Sequence, residues 1–513
     1  MLPAALAVTG HLVTFDDGQP EIPDGVLYID DTGIIQGVAA RSDPAPAGFD
    51  HATRVDTGGL IYPGLIDLHN HMAYNCLSLW LAPDHPRAWT NRAQWPNDKD
   101  YKPAISLPAN ALCHADGKSV LKYVETKAAV GGVTAIQGSA KLAHPFEGFM
   151  VRNVEFETFG GKHKSVNQSV RAFGSEEQYA SAKQDLDEGH AFLYHLAEGT
   201  DPKLIDDFNG VRDHGCLEPR FVGIHSTALG AHQFQEWHTT AKGGAIVWSP
   251  FSNLWLYGKT TNVVAARDAG LIVCLGADWS PSGSKSVLGE LKVADLCNKA
   301  TFGGALADRD ICAMATCNPA QALGWDALLG RLATGLHGDF VVMADRGKNP
   351  YRTLIESVEA DVQLVAINGY PIYGTSQLMG AAAAVNPEPI QVSAHLKRTI
   401  TLRDARIPEA DLSWPDVVAR LEAARQDPVT ARAQSLELDG VAEPAVALVP
   451  DKAWDDPTAH PELIEQATAA SIPPLDSLSH DEAFLAGVAT RAIDMGPDSG
   501  LHALDGLHTY YGL

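Results

Sequence analysis

The sequence predicts an α/β protein: a (β/α)8 TIM-like barrel inserted in a small β-sandwich, with a C-terminal extension. Three observations predict it. From about residue 63 to 320, short β-branched runs alternate with helical stretches of ten or more residues, the pattern of β/α units around a parallel sheet. All-β texture precedes this region and returns after it. Histidines and acids stand where apolar runs give way to polar loops, the rim from which a barrel collects its active site. The expected division is therefore 1–62 with 321–375 as a composite β-sandwich, 63–320 as the barrel, and 376–513 as an extension of mixed character.

Each element follows from local pattern. Ala7-Val8, Leu12-Val13, Val26–Ile29 and Ile34-Ile35 are short apolar runs divided by Asp/Gly turns, and read as strands. Eight candidate barrel strands come next: Leu65–His69, Val133–Gln137, a stretch near Met150–Glu157, Val166–Phe173, Phe192–His195, Phe221–His225, Ala245–Trp248 and Ile272–Gly276. Eight is the number that closes such a barrel. After Asn318-Pro319 the helical pattern is expected to end, with Leu336–Ala344 and Val362–Asn368 as returning strands. In the extension, Ser413-Trp-Pro-Asp opens a helix with Val417, Val418, Leu421 and Ala424 on one face. Ser479 with Glu482 forms a capping-box pattern for another, whose apolar face carries Phe484, Leu485 and Val488. Such faces must be buried against the sandwich, the barrel or a neighbouring subunit.

Composition narrows the functional classes. A chain of 513 residues with 45% hydrophobic and 20% charged residues holds ample material for a large core. A formal net charge of −25 disfavours nucleic acid and anionic membrane as partners, and fits a small-molecule substrate. Seven cysteines without a CxxC pair argue against a disulfide framework and a cysteine-based zinc site, so a cytoplasmic location is expected. The N-terminus reads as a strand, and no apolar run approaches the about 20 residues of a membrane span. A homo-oligomer is expected.

The chemistry-bearing residues begin with His69-Asn70-His71, directly after the apolar run Leu60–Leu68. In an extended segment, positions i and i+2 face one side, so both imidazoles point together. An isolated pair of this kind is equally well explained as two surface histidines. It does not stand alone, because His195 ends Ala191–Tyr194, His225 ends Phe221–Ile224 and Asp278 ends Leu271–Ala277. Four strand ends delivering metal-ligand types in register make coincidence a poor explanation.

The sequence resembles the amidohydrolase superfamily, in the branch of cytosine deaminase and the chlorotriazine hydrolases. The resemblance lies in PGLIDLHNH (Pro63–His71), GGVTAIQG (Gly131–Gly138), HLAEG (His195–Gly199), GIHS (Gly223–Ser226), WSPFSN (Trp248–Asn253), GADWS (Gly276–Ser280), ATCNPAQALG (Ala315–Gly324) and GRLATGLHGDFVV (Gly330–Val342). It implies that His69, His71, His195 and Asp278 bind one divalent metal, with zinc first and Fe2+, Mn2+ or Ni2+ able to use the same ligands. It further implies Glu198 as proton shuttle, His225 as the histidine that meets substrate or attacking water, and Asp278 as a second proton acceptor. No lysine occurs in Val166–Phe173, where two-metal relatives carry a carboxylated one, so one metal is implied. Asn253, Trp279 and Ser280, with Ser282, are expected to bind substrate beyond the last two strands, although Trp279 is bulkier than the small or polar residues common there.

The implied reaction is metal-dependent hydrolysis of a non-peptide C–N bond in a small cyclic amide, urea or aminated heterocycle. A heterocycle deaminase uses the same site, as does metal-assisted isomerisation or decarboxylation. A metal-less scaffold is disfavoured by the complete set of ligands together with Glu198. The loop Asn75–Ala109, with Trp80, Trp89, Trp95, Tyr101, Arg87, Arg92, Lys99 and Lys102, reads either as a lid over the barrel mouth or as a surface loop packed on its own aromatics.

Overall fold

Eight short parallel strands carry the site. In the computed structural model, which describes residues 5–83, 85–138, 140–142, 150–402, 412–439, 446–448, 475 and 482–512, they form two sheets. Leu65–Asp67, Val133–Ile136 and Arg152–Asn153 make the first; Val166–Ser169, Ala191–Leu196, Phe221–His225, Ala245–Trp248 and Ile272–Leu275 make the second, in sequential order. The last and first strands meet: Asn70 bridges Asp278 in parallel, and Leu68 N–H donates to Leu275 O at 3.3 Å. Gly276 permits this contact, because a Cβ there would lie 2.4 Å from the Cβ of His69.

The strands are almost wholly buried and rich in Val, Ile, Leu and Ala, as strands covered on both faces must be. Helices Leu107–Val130, Glu176–Asp187, Ile205–Asp213, Ala231–Ala241, Pro250–Tyr257 and Val287–Ala300 follow six of them. The third strand is shorter than Met150–Glu157. The chain turns from Val154, and the Arg152 guanidinium is taken by Asp339 (2.7 Å), Glu157 (2.5 Å) and Asn368 (2.6 Å). The fourth ends at Ser169, since Val170, Arg171 and Ala172 leave it to line a cavity.

Strands from both ends of the chain build one nine-stranded sheet. Its order is Glu388–Gln391, Lys397–Ile400, Tyr370–Gly374, Val362–Ile367, Phe340–Met343, Thr53–Pro63, Leu6–Val13, Glu21–Ile29, Ile35–Ala40. It extends past residue 375 because Lys397–Ile400 pairs antiparallel with Tyr370–Gly374. Helical structure does not stop at Asn318-Pro319: Cys317–Leu323 is a helix through both, and Pro350–Glu356 is another. Pro319 falls within the first turn, where its missing N–H costs no hydrogen bond.

The extension docks on its own chain. Helix Trp414–Gln426, capped by Ser413, buries Val417, Leu421 and Ala424 and packs with Pro428–Asp439 on Leu107–Val130. Val418, expected on the same face, is 47% exposed, because one residue past Val417 the helix has turned by about 100°. Helix Glu482–Met495 buries Phe484 and Val488 and leaves Leu485 half-buried, while Ser479 lies outside the described residues. Its Arg491 is buried and donates to the carbonyls of Trp255 (3.0 Å), His85 (3.3 Å) and Leu81 (3.4 Å), with Trp89 and Trp255 each 5.0 Å from the guanidinium carbon. Arg491→Ala removes these bonds and the packing of two indoles, so we expect a loss of about 2–4 kcal/mol and a Tm lower by a few degrees. Thermal denaturation of the full chain checks this; an unchanged Tm would remove Arg491 as an anchor.

All seven cysteines are free, six of them buried. No described helix is long and apolar enough to cross a membrane.

Candidate active site

The strand ends bring His69, His71, His195, His225, Glu198 and Asp278 together. The His69 and His71 rings lie 4.8 Å apart, and both point their Nε2 atoms at Asp278 Oδ1, at 3.2 and 3.3 Å. His195 stands 4.7 Å from His69 and His225 5.1 Å from it, centroid to centroid. Backbone bonds fix the junction: Asp278 N–H donates to His69 O at 2.8 Å, and His71 N–H to Asp278 O at 3.1 Å. His225 (φ 63°) and Asp278 (φ 62°) both adopt left-handed backbone, which is uncommon for non-glycine residues.

Partners around the rings set their protonation. Gln137 Oε1 accepts the Asn70 N–H at 2.9 Å and lies 3.3 Å from His69 Nδ1, while Gln137 Nε2 donates to Glu155 at 2.6 Å. The proton of His69 therefore sits on Nδ1, and its Nε2 lone pair faces a carboxylate. That atom and His195 Nδ1 are buried without a hydrogen-bond partner, an arrangement that is costly unless a cation takes the lone pairs. Burial, then the neighbouring His69, holds His195 well below the usual imidazole range; burial also pushes His225 down to about 4. Burial opposes ionisation of Asp278, yet His69 and His71 hold its carboxyl well below the usual carboxylate range. Imidazole nitrogens beside an ionised carboxylate form a donor set for a divalent metal. Among the described residues, two groups have ligand atoms within 4.8 Å of one another: His69, His71 and Asp278; and His69, His195 and His225.

A cavity of about 500 Å3 opens over this cluster. Its polar wall includes Arg92, Glu198, Asp207 and Asp278, and its aromatic wall is Tyr74, Trp95, Tyr101 and Trp279. Trp279 lies 5.1 Å from Tyr74 and 5.3 Å from Trp95, centroid to centroid. The loop after the first strand does both things open to it. Trp80 stacks on Trp89 at 5.4 Å, while Arg92, Trp95 and Tyr101 line the cavity; Arg87 and Lys99 stay exposed. It is fastened at Gly199, which pairs with Asn91, and a Cβ at 199 would come within 2.4 Å of Thr90 O.

Of the expected substrate contacts, Trp279 lines the cavity. Asn253 stands behind the wall, with Nδ2 3.1 Å from His225 Nδ1. Ser280 also lies behind it, its Oγ spent on Leu77 O at 2.6 Å, and Ser282 accepts the Trp279 indole N–H at 2.5 Å. Sequence reading missed Tyr257, whose hydroxyl donates to Glu198 Oε1 at 2.6 Å. A signal existed, since Tyr257 follows Asn253 by four residues on helix Pro250–Tyr257 and so shares its face. Gln137, at the end of the second strand, was readable by the register that picked out the histidines.

Histidines and an acid gathered at one end of parallel strands, beneath a cavity, form the arrangement of an α/β enzyme of the TIM type. Residues 159–372 match the amidohydrolase family. A 5-methylthioadenosine/S-adenosylhomocysteine deaminase of Halobacterium salinarum is 27% identical over 376 residues, 66% of this chain and 84% of that protein. Among solved structures, an adenosine deaminase from Xanthomonas campestris with bound zinc aligns with a TM-score of 0.58 at 16% identity, covering 83% of this chain and 99% of that one. The zinc complex of atrazine chlorohydrolase from Arthrobacter aurescens TC1 aligns with a TM-score of 0.58 at 20% identity, covering 72% and 95%. These structures share the TIM-barrel type of fold with this chain. The chain carries an amidohydrolase-family domain and is a hydrolase acting on carbon–nitrogen bonds.

Proposed function

We propose that this chain is a zinc-dependent deaminase of a 6-aminopurine nucleoside or closely related aminated heterocycle. His69, His71, His195 and Asp278 would hold the metal, Glu198 would carry the proton, and His225 would meet the substrate. The observation behind this reading is the pair of orphaned buried nitrogens, His69 Nε2, which lies 3.2 Å from Asp278 Oδ1, and His195 Nδ1, whose ring stands 4.7 Å from that of His69. Similarity to a deaminase of adenosine derivatives supports the substrate class. The aromatic wall suits a flat ring.

Zinc supplies, when bound, the Lewis acidity that brings the pKa of water from ~15.7 to about 7. Glu198, buried on the cavity wall, takes a proton from the attacking water and returns it to the departing amine. With the Asn253 amide donating to His225 Nδ1, the ring proton of His225 sits on Nε2 and faces the cavity. His225 then donates a hydrogen bond to charge developing on the substrate. Asp278 stays ionised and keeps His71 oriented. The Trp95, Tyr101 and Trp279 rings cover the cavity and keep bulk water from the reacting carbon.

The same reading takes 63–320 as the catalytic barrel, 1–62 with 321–375 as the composite sandwich, which strands Glu388–Gln391 and Lys397–Ile400 extend, and the rest of 376–513 as a support. A cytoplasmic homo-oligomer accompanies it, and light scattering checks the assembly.

The test is a panel of adenosine, 5′-methylthioadenosine, S-adenosylhomocysteine, cyclic amides and cyclic ureas given to the zinc-loaded chain. Ammonia release and the adenine-to-hypoxanthine absorbance change are expected for at least one nucleoside, with one zinc per chain by elemental analysis. Turnover confined to the amides or ureas would redirect the substrate class, and a chain that binds no metal would end the reading.

A further inference from the structure

Tyr257 closes helix Pro250–Tyr257 and is buried between the lid loop and the catalytic rim. Its hydroxyl oxygen lies 2.6 Å from Glu198 Oε1 and 3.1 Å from Trp95 Nε1. The direction of both bonds is fixed while Glu198 is ionised. An indole N–H only donates, so Trp95 donates to the phenol oxygen, and the one phenolic proton then points at Glu198. Oε1 is thereby the acceptor from Tyr257 as long as the phenol keeps donating to it. A proton taken up by Glu198 with that bond intact goes to Oε2.

We propose that Tyr257 is a positioning residue that confines proton transfer to Oε2 of Glu198, and that Trp95 is the latch through which the lid loop holds it there. This rests on Glu198 being the proton carrier. The loop is built to report on that carboxylate. Arg92 N–H donates to Glu198 O at 3.2 Å, Arg92 Nε lies 3.8 Å from Oε2, and Asn91 pairs with the adjoining Gly199. Trp95 also packs on Trp279 in the cavity wall. A ring seated against that wall therefore bears on the side chain that orients Tyr257. The proton passes from water to Oε2 and from Oε2 to the departing nitrogen; Tyr257 keeps its own proton throughout.

The experiment compares Y257F, W95F and the double variant, each zinc-loaded, by steady-state kinetics and crystal structure. In Y257F, kcat should fall about tenfold with KM within about twofold, because the loss concerns orientation of a proton carrier rather than binding. W95F keeps an aromatic ring and loses the N–H; its kcat should fall in the same direction, with a change in KM because the ring lines the cavity. The double variant should lose no more kcat than Y257F alone, since Trp95 acts through Tyr257. The crystal structure of Y257F should show the Glu198 carboxylate turned from its wild-type position. Wild-type kcat in Y257F, or additive losses, would overturn the proposal. Should Y257F fold poorly, W95F carries the test. If the wild type releases no ammonia from any nucleoside, the proposed function fails by itself. An unmoved Glu198 in both single variants then overturns the positioning role independently.

Discussion

Glu198→Gln should keep its zinc and its fold and lose about 10²–10⁴ in kcat, the range that a positioned acid–base group supplies. Glutamine preserves length and volume, and its amide oxygen still accepts the Tyr257 hydroxyl now 2.6 Å from Glu198 Oε1. What it lacks is an oxygen able to gain and release a proton. Glu198 belongs to neither group of side chains whose donor atoms converge for a metal, so stoichiometric zinc should persist. Turnover on the best substrate, with metal content and Tm measured on the same sample, separates the two effects. A variant with near-wild-type kcat would move the proton-carrying role to Asp278. Zinc loss would instead mean that the carboxylate is a ligand.

What the sequence made legible here is set by periodicity. His69, His71, His195, His225 and Asp278 were readable because each ends an apolar run of strand character, and the rim of a barrel converts that linear position into convergence. The N-terminal strands were readable for a similar reason, through β-branched runs divided by Asp/Gly turns. The left-handed backbone at His225 and Asp278 was not, because no glycine marks it. It costs on the order of 1–3 kcal/mol per residue, balanced by the packing around it. This local twist aims both side chains inward.

Direction also decided which polar residues reach the cavity. Asn253, Trp279 and Ser280 all follow the last two strands, yet only Trp279 faces the cavity, since the other two satisfy His225 and the Leu77 carbonyl behind it. Proximity in sequence carries no information about which side of a loop a side chain takes. The short third strand was obscured by a buried ion triad: Arg152, paired with Glu157 and Asp339, puts a charged residue where an apolar one would be expected. The contacts of Arg92 and Tyr257 with Glu198 emerge only in three dimensions, because 106 and 59 positions separate these residues along the chain.

Asp278→Asn should abolish tight zinc binding and with it almost all activity, more than the about 10–100-fold that loss of an outer partner of a metal ligand costs. Asparagine is the informative replacement. It keeps the shape of the side chain and tolerates the left-handed backbone at φ 62°, where alanine would be strained. The bonds from Asp278 N–H to His69 O and from His71 N–H to Asp278 O run through backbone and survive the change. Only the negative charge goes. The Asp278 carboxylate lies 3.2 and 3.3 Å from the Nε2 atoms of His69 and His71, and is the anion in a donor set otherwise made of imidazole rings. Without it, the cation must be desolvated against imidazoles alone. With zinc held by the folded chain as proposed, added zinc should raise the wild-type Tm and leave that of Asp278→Asn nearly unchanged. Glu198→Gln should behave like the wild type in that titration, so the pair of variants separates metal holding from proton carrying. An Asp278→Asn protein that bound zinc stoichiometrically and showed the wild-type Tm response would sink the ligand assignment.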